Sequence, residues 1–460
     1  MARHGWNSGV ARWRLTALLG VGVAALALVV TLLNTLPGGG SGTEGTSRDG
    51  DKVHGTPTAT PDATRPDVGW GFTHTQFSAD EGSATAVRRV ERRLAQDGGV
   101  PQIQHLMGWG ADNPEPVKGR YDFEAMDLRV DFMRASGGTP VVTLCCAPDW
   151  MKGGEAGVDN TDWSQSALET APEREHYQDF ADLAATVAKR YPDVRHFIVW
   201  NEFKGFWNDA EARWDHEGYT ELYNLVYKAL KKVNPDIMVG GPYLVMDSLD
   251  PRSADASATF RGPWGAMDQR TLDAFEYWNK HKAGAEFVVV DGSSYTQDDE
   301  LMPDEFAATD KFTAVGDCIR DRYYVEPADG DDEREGWSET RRVAVQAAGM
   351  IAMVKGGATS GFYWNPEKEK GTDCPGCLWT PTHGRSGGER LPMYDLVSRF
   401  GKEFPPGTAY EEVSGAGADV RVLATDKVVL VVNTRDRSVS TRIDGRKLEM
   451  QAYEVEWLER

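Results

Sequence analysis

Cysteine is scarce in this chain, and its few copies are unevenly placed, at positions 145, 146, 318, 374 and 377. An odd number of cysteines in an exported protein leaves at least one thiol without a disulfide partner. Cys374 and Cys377 have the spacing of a small loop disulfide for an oxidising compartment, whereas adjacent Cys145 and Cys146 end an apolar run and are expected to be buried packing. A zinc half-site at Cys374 would need a second pair, which the sequence lacks, so no metal is predicted.

The sequence also lacks the motifs of several common kinds of catalytic and binding site. The chain contains nothing that resembles a phosphate-binding glycine loop, a nucleophile elbow or a histidine-rich metal site, so no metal or organic cofactor is predicted. A formal net charge of -21 argues against nucleic acid and anionic polysaccharide as partners, because both would be repelled. The charge favours a neutral substrate, and the sequence leaves the oligomeric state open.

The N-terminal segment predicts the location of the protein. Arginines at positions 3, 12 and 14 precede an apolar run, 15–33, that nearly spans a bilayer. We expect a cytoplasmic N-terminus over 1–14 and a transmembrane signal anchor over 15–36, which attaches the protein to the cell membrane. Secretion after cleavage of a signal peptide is the alternative, although no small-x-small cleavage site follows the run. Residues 37–67, rich in Gly, Ser, Thr, Asp and Pro, are predicted to be a flexible linker.

Beyond the linker, short apolar runs alternate with amphipathic helical segments. Eight alternations predict an α/β fold, a (β/α)8 TIM barrel over 68–404. The remainder, 405–460, has short apolar or alternating runs and is predicted to be a β-sandwich-like accessory module. The predicted barrel strands are 69–73, 100–106, 139–144, 195–200, 237–240, 287–290, the three residues 323–325, and 359–364.

The fourth predicted strand runs into Trp200-Asn201-Glu202-Phe203. A buried strand that ends on Asn-Glu places an acid at the mouth of a barrel, where TIM-barrel enzymes have their active sites. Cleavage of a glycosidic bond uses two carboxylates, one to protonate the leaving oxygen and one to attack or to activate water. Glu202 is therefore a candidate catalytic acid, with Asn201 as a candidate ligand of a sugar hydroxyl. The alternative is a solvated glutamate that follows a buried strand.

Aromatic and histidine side chains at other strand ends suit a sugar substrate. Indole rings stack on the apolar faces of pyranoses, and imidazoles hydrogen-bond to hydroxyls. Each histidine has the alternative of being a satisfied core or rim residue, and many of the 15 tryptophans are expected to be barrel packing. The candidate substrate-binding residues of this kind are His74, His105, Trp109, Trp150 and Trp364.

These motifs resemble those of a known group. Trp200-Asn201-Glu202 with Phe206-Trp207 is similar to the acid/base motif of clan A retaining glycoside hydrolases, above all family 39, with Phe203 where proline is typical. The segments 69–74, 148–150 and 363–364 are also similar to that family's barrel. The resemblance implies a retaining double displacement in which Glu202 is the acid/base.

The resemblance also implies a nucleophile after the seventh strand. The best match is Glu326, in Tyr-Tyr-Val-Glu-Pro, with rivals at Asp291, Asp317 and Glu367. Tyr295 matches a family residue near the nucleophile, but Ser293 stands where the family has histidine. The leading hypothesis is an extracytoplasmic glycosidase that acts on an oligosaccharide or polysaccharide. The short seventh strand and Ser293 motivate an alternative, a catalytically impaired glycan-binding protein on the same barrel; a structural surface protein is a third option.

Overall fold

The computed structural model describes residues 67–79, 82–246, 248–291, 311–320, 322–325, 336–364, 366–368, 374 and 376–460. Within these ranges, no helix has both the length and the apolar character needed to cross a membrane. The predicted segments 1–14 and 15–36 lie outside the described residues, as does nearly all of the predicted linker.

Eight parallel strands form a closed barrel, which confirms the predicted fold. Going round the barrel, the order is β1, β12, β11, β10, β7, β4, β3 and β2, so β1 pairs with both β12 and β2 and closes the sheet. The barrel strands are β1 (Trp70–Thr73), β2 (Gln102–His105), β3 (Pro140–Leu144), β4 (His196–Val199), β7 (Met238–Val245), β10 (Phe287–Asp291), β11 (Tyr323–Val325) and β12 (Ser360–Trp364). The hairpin strands between them are β5 (Trp207–Asn208), β6 (Arg213–Trp214), β8 (Ala256–Gly262) and β9 (Gly265–Asp268).

The fifth and seventh barrel strands differ in length from the other barrel strands. The fifth barrel strand, β7, continues to Val245, beyond the predicted 237–240, because the residues after Gly240 remain buried and pair with β10. The seventh, β11, has the predicted three residues and pairs with both β10 and β12. The seventh strand is therefore short but present.

Apolar side chains fill the barrel and the layer around it. The interior is packed by bulky residues from successive strands, as expected for a filled TIM barrel. A larger core lies between the strands and the outer helices. Ser338 is the predicted N-cap of α8 and accepts a hydrogen bond from the backbone nitrogen of Arg341 (3.3 Å). The helices are α1 (Ala84–Gln96), α2 (Glu124–Ala135), α3 (Gln165–Leu168), α4 (Tyr177–Arg190), α5 (His216–Val233), α6 (Gln269–His281), α7 (Lys311–Ile319), α8 (Glu339–Lys355) and α9 (Pro392–Glu403).

The C-terminal residues form two antiparallel sheets. One has the order β13–β14–β17 and the other pairs β15 with β16, and apolar side chains from both make one small core. The module packs on the barrel's outer layer, where the Trp457 ring stacks on Phe404 with centroids 5.7 Å apart and the Arg399 guanidinium lies over the indole. The strands are β13 (Val420–Ala424), β14 (Val428–Asn433), β15 (Val439–Ile443), β16 (Arg446–Met450) and β17 (Val455–Glu459).

The cysteines follow the sequence predictions except at the adjacent pair Cys145 and Cys146. Cys374 and Cys377 form the predicted loop disulfide, and Cys318 has a free thiol. Cys145 and Cys146 are buried, as predicted, but they are bonded to each other as well as packed. They lie directly after β3, so this disulfide is close in sequence to the carboxyl end of the barrel.

Candidate active site

The turn that carries Glu202 has an unusual backbone. Trp200 and Glu202 have φ angles of 67° and 56°, in the left-handed region that non-glycine residues rarely adopt. Trp200 is fully buried, and its backbone nitrogen donates to the carbonyl of Leu144 on β3 (3.1 Å). Its indole nitrogen donates to the carbonyl of Lys204 (2.8 Å), which closes the turn. Such strained conformations persist where surrounding structure holds them, often at functional sites.

Asn201, between these two residues, is held by a histidine from another strand. Its Oδ1 atom lies 3.2 Å from Nε2 of His105, the last residue of β2. Burial lowers the pKa of His105 to about 4, with the Asn201 contact opposing and Lys204 reinforcing this shift. The ring is therefore neutral near pH 7 and donates from Nε2 to the amide oxygen. Its buried Nδ1 atom has no hydrogen-bond partner among the described residues and remains an acceptor.

Two tryptophans complete a wall of rings around His105. The centroid of Trp109 lies 4.5 Å from that of the imidazole, and the centroid of Trp364 lies 6.0 Å from it. The two indoles are 6.5 Å apart and nearly perpendicular, and both are partly exposed. Four predicted site residues from the ends of β2, β4 and β12 are thus brought together: Asn201, His105, Trp109 and Trp364. We call these four residues the ring cluster.

Glu202 is largely buried, and its carboxylate forms an ion pair. Its carboxylate is 16% exposed, and Oε2 lies 3.2 Å from the Nζ atom of Lys204. The same ammonium lies 3.0 Å from Oε1 of Glu169, the residue that follows α3. Burial by itself would lower the pKa of Lys204, but Glu202 and Glu169 outweigh it and raise that pKa above its ordinary value. Lys204 is therefore a cation shared by two carboxylates.

Gly205 brings the Glu169 segment close to this turn. A Cβ atom added at Gly205, whose φ is +77°, would lie 2.5 Å from the carbonyl oxygen of Glu169 and 2.2 Å from the backbone nitrogen of Ala171. Sequence reasoning missed Lys204 and Glu169. The only local signal was a lysine two residues after the candidate acid, and such lysines are usually solvated.

His74 lies outside the ring cluster. It is fully buried, contacts Ser78 through Nδ1, and lies 2.9 Å from Oε1 of Gln102 through Nε2. Burial and then the Arg129 charge lower its pKa to about 3. Of the two alternatives for His74, the structure shows the satisfied core histidine.

The described contacts of Trp150 also lie outside the ring cluster. Its indole nitrogen donates to the carbonyl of Glu115 (2.8 Å), and its ring meets the edge of His176 at 5.4 Å. The Lys118 ammonium lies over the indole at 5.6 Å. Trp150 thus belongs to the loop that contains residues 115–118 and has no ring contact with the ring cluster in the described structure.

The second carboxylate remains a prediction. Val325 ends β11, and the next residue, Glu326, lies outside the described residues, as does Tyr295. Among the rivals, Asp317 lies within α7, and Asp291 is the last residue of β10. Glu367 is fully buried and accepts hydrogen bonds from Trp379 and Thr382, which occupy both of its oxygens.

Comparison with known proteins shows similarity to one glycoside hydrolase family and to several solved structures. The model of glycosyl hydrolases family 39 matches residues 96–315. A monomeric β-xylosidase from Caulobacter crescentus CB15 is 18% identical, with 81% of this chain and 75% of that chain covered and a TM-score of 0.52. A family 39 glycoside hydrolase from Bacteroides cellulosilyticus WH2 is 15% identical, with coverage of 86% and 81% and a TM-score of 0.53. A GH30 endoxylanase from Clostridium papyrosolvens C71 is 12% identical, with coverage of 86% and 97% and a TM-score of 0.51.

At these identities the structural likeness establishes the fold alone, which this chain shares with the three glycoside hydrolases. The family match confirms the similarity to glycoside hydrolase family 39 that was predicted from Trp200-Asn201-Glu202. The match includes β3, β4, β7 and β10 and therefore contains the turn that carries Glu202. Together these findings support a glycosidase with a carbohydrate substrate.

Proposed function

We propose that this protein is a retaining O-glycoside hydrolase in which Glu202 is the acid/base and Glu326 the nucleophile. The observation that carries the proposal is the position of Glu202: it lies three residues after the end of β4, next to an asparagine that His105 holds within the ring cluster. Glu326 follows the last residue of β11, which belongs to the same parallel barrel, so both acids come after carboxyl ends of strands. Active sites of TIM barrels are built at that end.

The proposed reaction has two displacement steps. Glu202 protonates the leaving oxygen while Glu326 attacks the anomeric carbon, and the glycosidic bond breaks as the glycosyl-enzyme ester forms. Glu202 then removes a proton from water, which attacks the same carbon and releases Glu326. This mechanism requires the two carboxyl groups to be about 5–5.5 Å apart, whereas inversion requires about 6.5–9.5 Å.

The ring cluster supports a neutral sugar in the site. The partly exposed indoles of Trp109 and Trp364 offer apolar faces on which a sugar ring can stack. The overall charge of -21 disfavours an anionic polymer. A neutral oligosaccharide or polysaccharide is the proposed substrate, and the β-xylosidase among the similar structures makes β-xylosides the first compounds to test.

The proposed location is the outer side of the cell membrane. Support comes from the apolar run over 15–33 with arginines before it, and from the linker composition over 37–67. The loop disulfide Cys374–Cys377 is consistent with an oxidising compartment. Fractionation of cells that express the full chain, with protease added from outside, distinguishes a tethered enzyme from a secreted one.

Hydrolysis of a panel of aryl glycosides tests the activity. The wild-type enzyme is expected to release the aryl alcohol from at least one sugar, and Glu202→Gln is expected to lose most of this activity. Glu276→Gln changes an exposed glutamate on α6 and is the matched control, which should keep full activity. Full activity of Glu202→Gln would contradict the assigned role.

A glycan-binding protein is the second candidate, because the seventh strand has three residues. It predicts that oligosaccharides bind without turnover and that Trp109→Ala weakens this binding. Calorimetry with the same oligosaccharides, combined with product analysis, separates the two candidates.

A further inference from the structure

We infer that Lys204 is a positioning residue that binds the Glu202 carboxylate and holds it in place, and that Glu169 limits this effect by sharing the same ammonium. This inference rests on the proposed role of Glu202 and adds a residue that acts on both reaction steps through Glu202. The observation behind it is the pair of contacts at one Nζ atom, 3.2 Å to Glu202 and 3.0 Å to Glu169.

The backbone holds Lys204 in this position. Its carbonyl oxygen accepts the indole hydrogen bond of buried Trp200, so the residue is tied to the turn that carries Glu202. Gly205, the next residue, lies against the Glu169 segment with no room for a Cβ atom. The Lys204 side chain is 29% exposed, and the two carboxylates are 16% and 24% exposed, so water screens the three charges only partly.

The positive charge of Lys204 next to Glu202 has opposite effects on the two reaction steps. A neighbouring cation stabilises a carboxylate and disfavours its protonated form. Glu202 must be protonated to release the leaving group and ionised to activate water. The charge of Lys204 therefore favours the second task and opposes the first.

Glu169 moderates this influence. It competes for the ammonium, and its own negative charge makes a second anion nearby less favourable. Gln165 also donates a hydrogen bond to the same Glu169 oxygen (2.6 Å), which keeps that carboxylate in position. Lys204 also interacts with Glu169 from the end of α3 and with His105 from β2, and His105 is neutral above pH of about 4.

Two variants are expected to shift the alkaline limb of the pH profile of kcat/KM in opposite directions. In Lys204→Met the alkaline limb of kcat/KM should shift to higher pH by about one unit or more, because no cation remains to favour ionised Glu202. In Glu169→Gln the limb should shift to lower pH, because one anion is removed and the ammonium is left to Glu202. Lys204→Arg retains the charge and should restore most of the wild-type profile. Lys189→Met removes an exposed lysine of α4 and should leave the limb unchanged.

A second measurement makes the inference independent of turnover. Carboxyl groups of glutamates labelled with carbon-13 can be titrated by NMR, with Glu202→Gln used to assign the Glu202 signal. The signal should titrate at higher pH in Lys204→Met and at lower pH in Glu169→Gln than in the wild type. Equal titration midpoints in Lys204→Met and wild type would overturn the inference. A wild type that hydrolyses no glycoside would instead remove the proposed function, while the NMR titration would still decide the role of Lys204.

Discussion

The Nε2 atom of His105 lies 3.2 Å from the Oδ1 atom of Asn201, so β2 supports the turn that carries Glu202. His105→Phe retains a ring of similar shape but leaves the buried amide oxygen without this donor. A buried acceptor without a partner costs about 1–3 kcal/mol, and the free energy of unfolding should fall by that order. The value of kcat/KM should fall as well, because Asn201 loses its orientation. His281→Phe, at an exposed position of α6, is the control and should change neither quantity.

Acid should destabilise the protein well before most carboxylates are protonated. The pKa of His105 is lowered to about 4 and that of His74 to about 3, from an ordinary value of 6.5. Between these values and 6.5 the unfolded chain binds protons that the folded chain does not, so stability is full above pH 6.5 and falls as the pH decreases towards 4. Thermal unfolding at a series of pH values checks this, and His105→Phe should show a shallower dependence. Stability that does not change between pH 6.5 and 4.5 would contradict the burial of both neutral rings.

The ring cluster should contribute to substrate affinity, whereas Trp150 should not. Trp109→Ala and Trp364→Ala each remove a ring from the wall around His105, and KM should rise about fivefold, as expected from the loss of about 1 kcal/mol. Trp150→Ala removes an indole whose contacts are to Glu115, His176 and Lys118, and its KM should stay near the wild-type value. Equal effects of all three substitutions on KM would argue against the ring cluster as the sugar site.

Gly205 should tolerate no side chain. In Gly205→Ala the new Cβ atom would meet the backbone of Glu169 and Ala171, and the φ of +77° adds strain, so a loss of roughly 1–3 kcal/mol in stability is expected. Gly119 has the same φ but nothing within 4 Å of an added Cβ atom. Gly119→Ala therefore measures the backbone strain alone, and the difference in unfolding free energy between the two variants measures the steric clash. No difference between them would mean that the Glu169 segment is not packed on the Gly205 turn.

The barrel could be predicted from the sequence because its strands are short apolar runs that alternate with helical segments. The three-residue strand 323–325 was predicted from the family resemblance, with a shortened or deleted strand as the alternative, and the structure shows it paired on both sides. The end of β7 was missed because Gly241 and Pro242 interrupt the apolar run, which resumes at Tyr243 and continues to Val245. The position of Glu202 at the carboxyl end of β4 follows from the strand pattern alone.

The contacts of the site residues could not be predicted in the same way. His74 follows one predicted strand and His105 lies near the end of another, yet His74 is enclosed by Ser78 and Gln102 while His105 faces two indoles. The difference depends on side-chain direction, and sequence spacing carries no information on the loops that cover each strand end. Lys204 contacts Glu202 because the chain turns through left-handed conformations at Trp200 and Glu202, which nothing in these residue types indicates.

The most direct test of the account is the identification of the residue that carries the covalent intermediate. A 2-deoxy-2-fluoro glycoside of the hydrolysed sugar, with a good leaving group, slows both steps and allows the glycosyl-enzyme to accumulate, and peptide mass spectrometry locates the labelled residue. We expect a single label on Glu326 in the wild type, and much slower labelling in Glu202→Gln when the leaving group needs protonation. Hydrolysis with inverted configuration and no labelled peptide would contradict the proposal that Glu202 and Glu326 act together in a retaining double displacement.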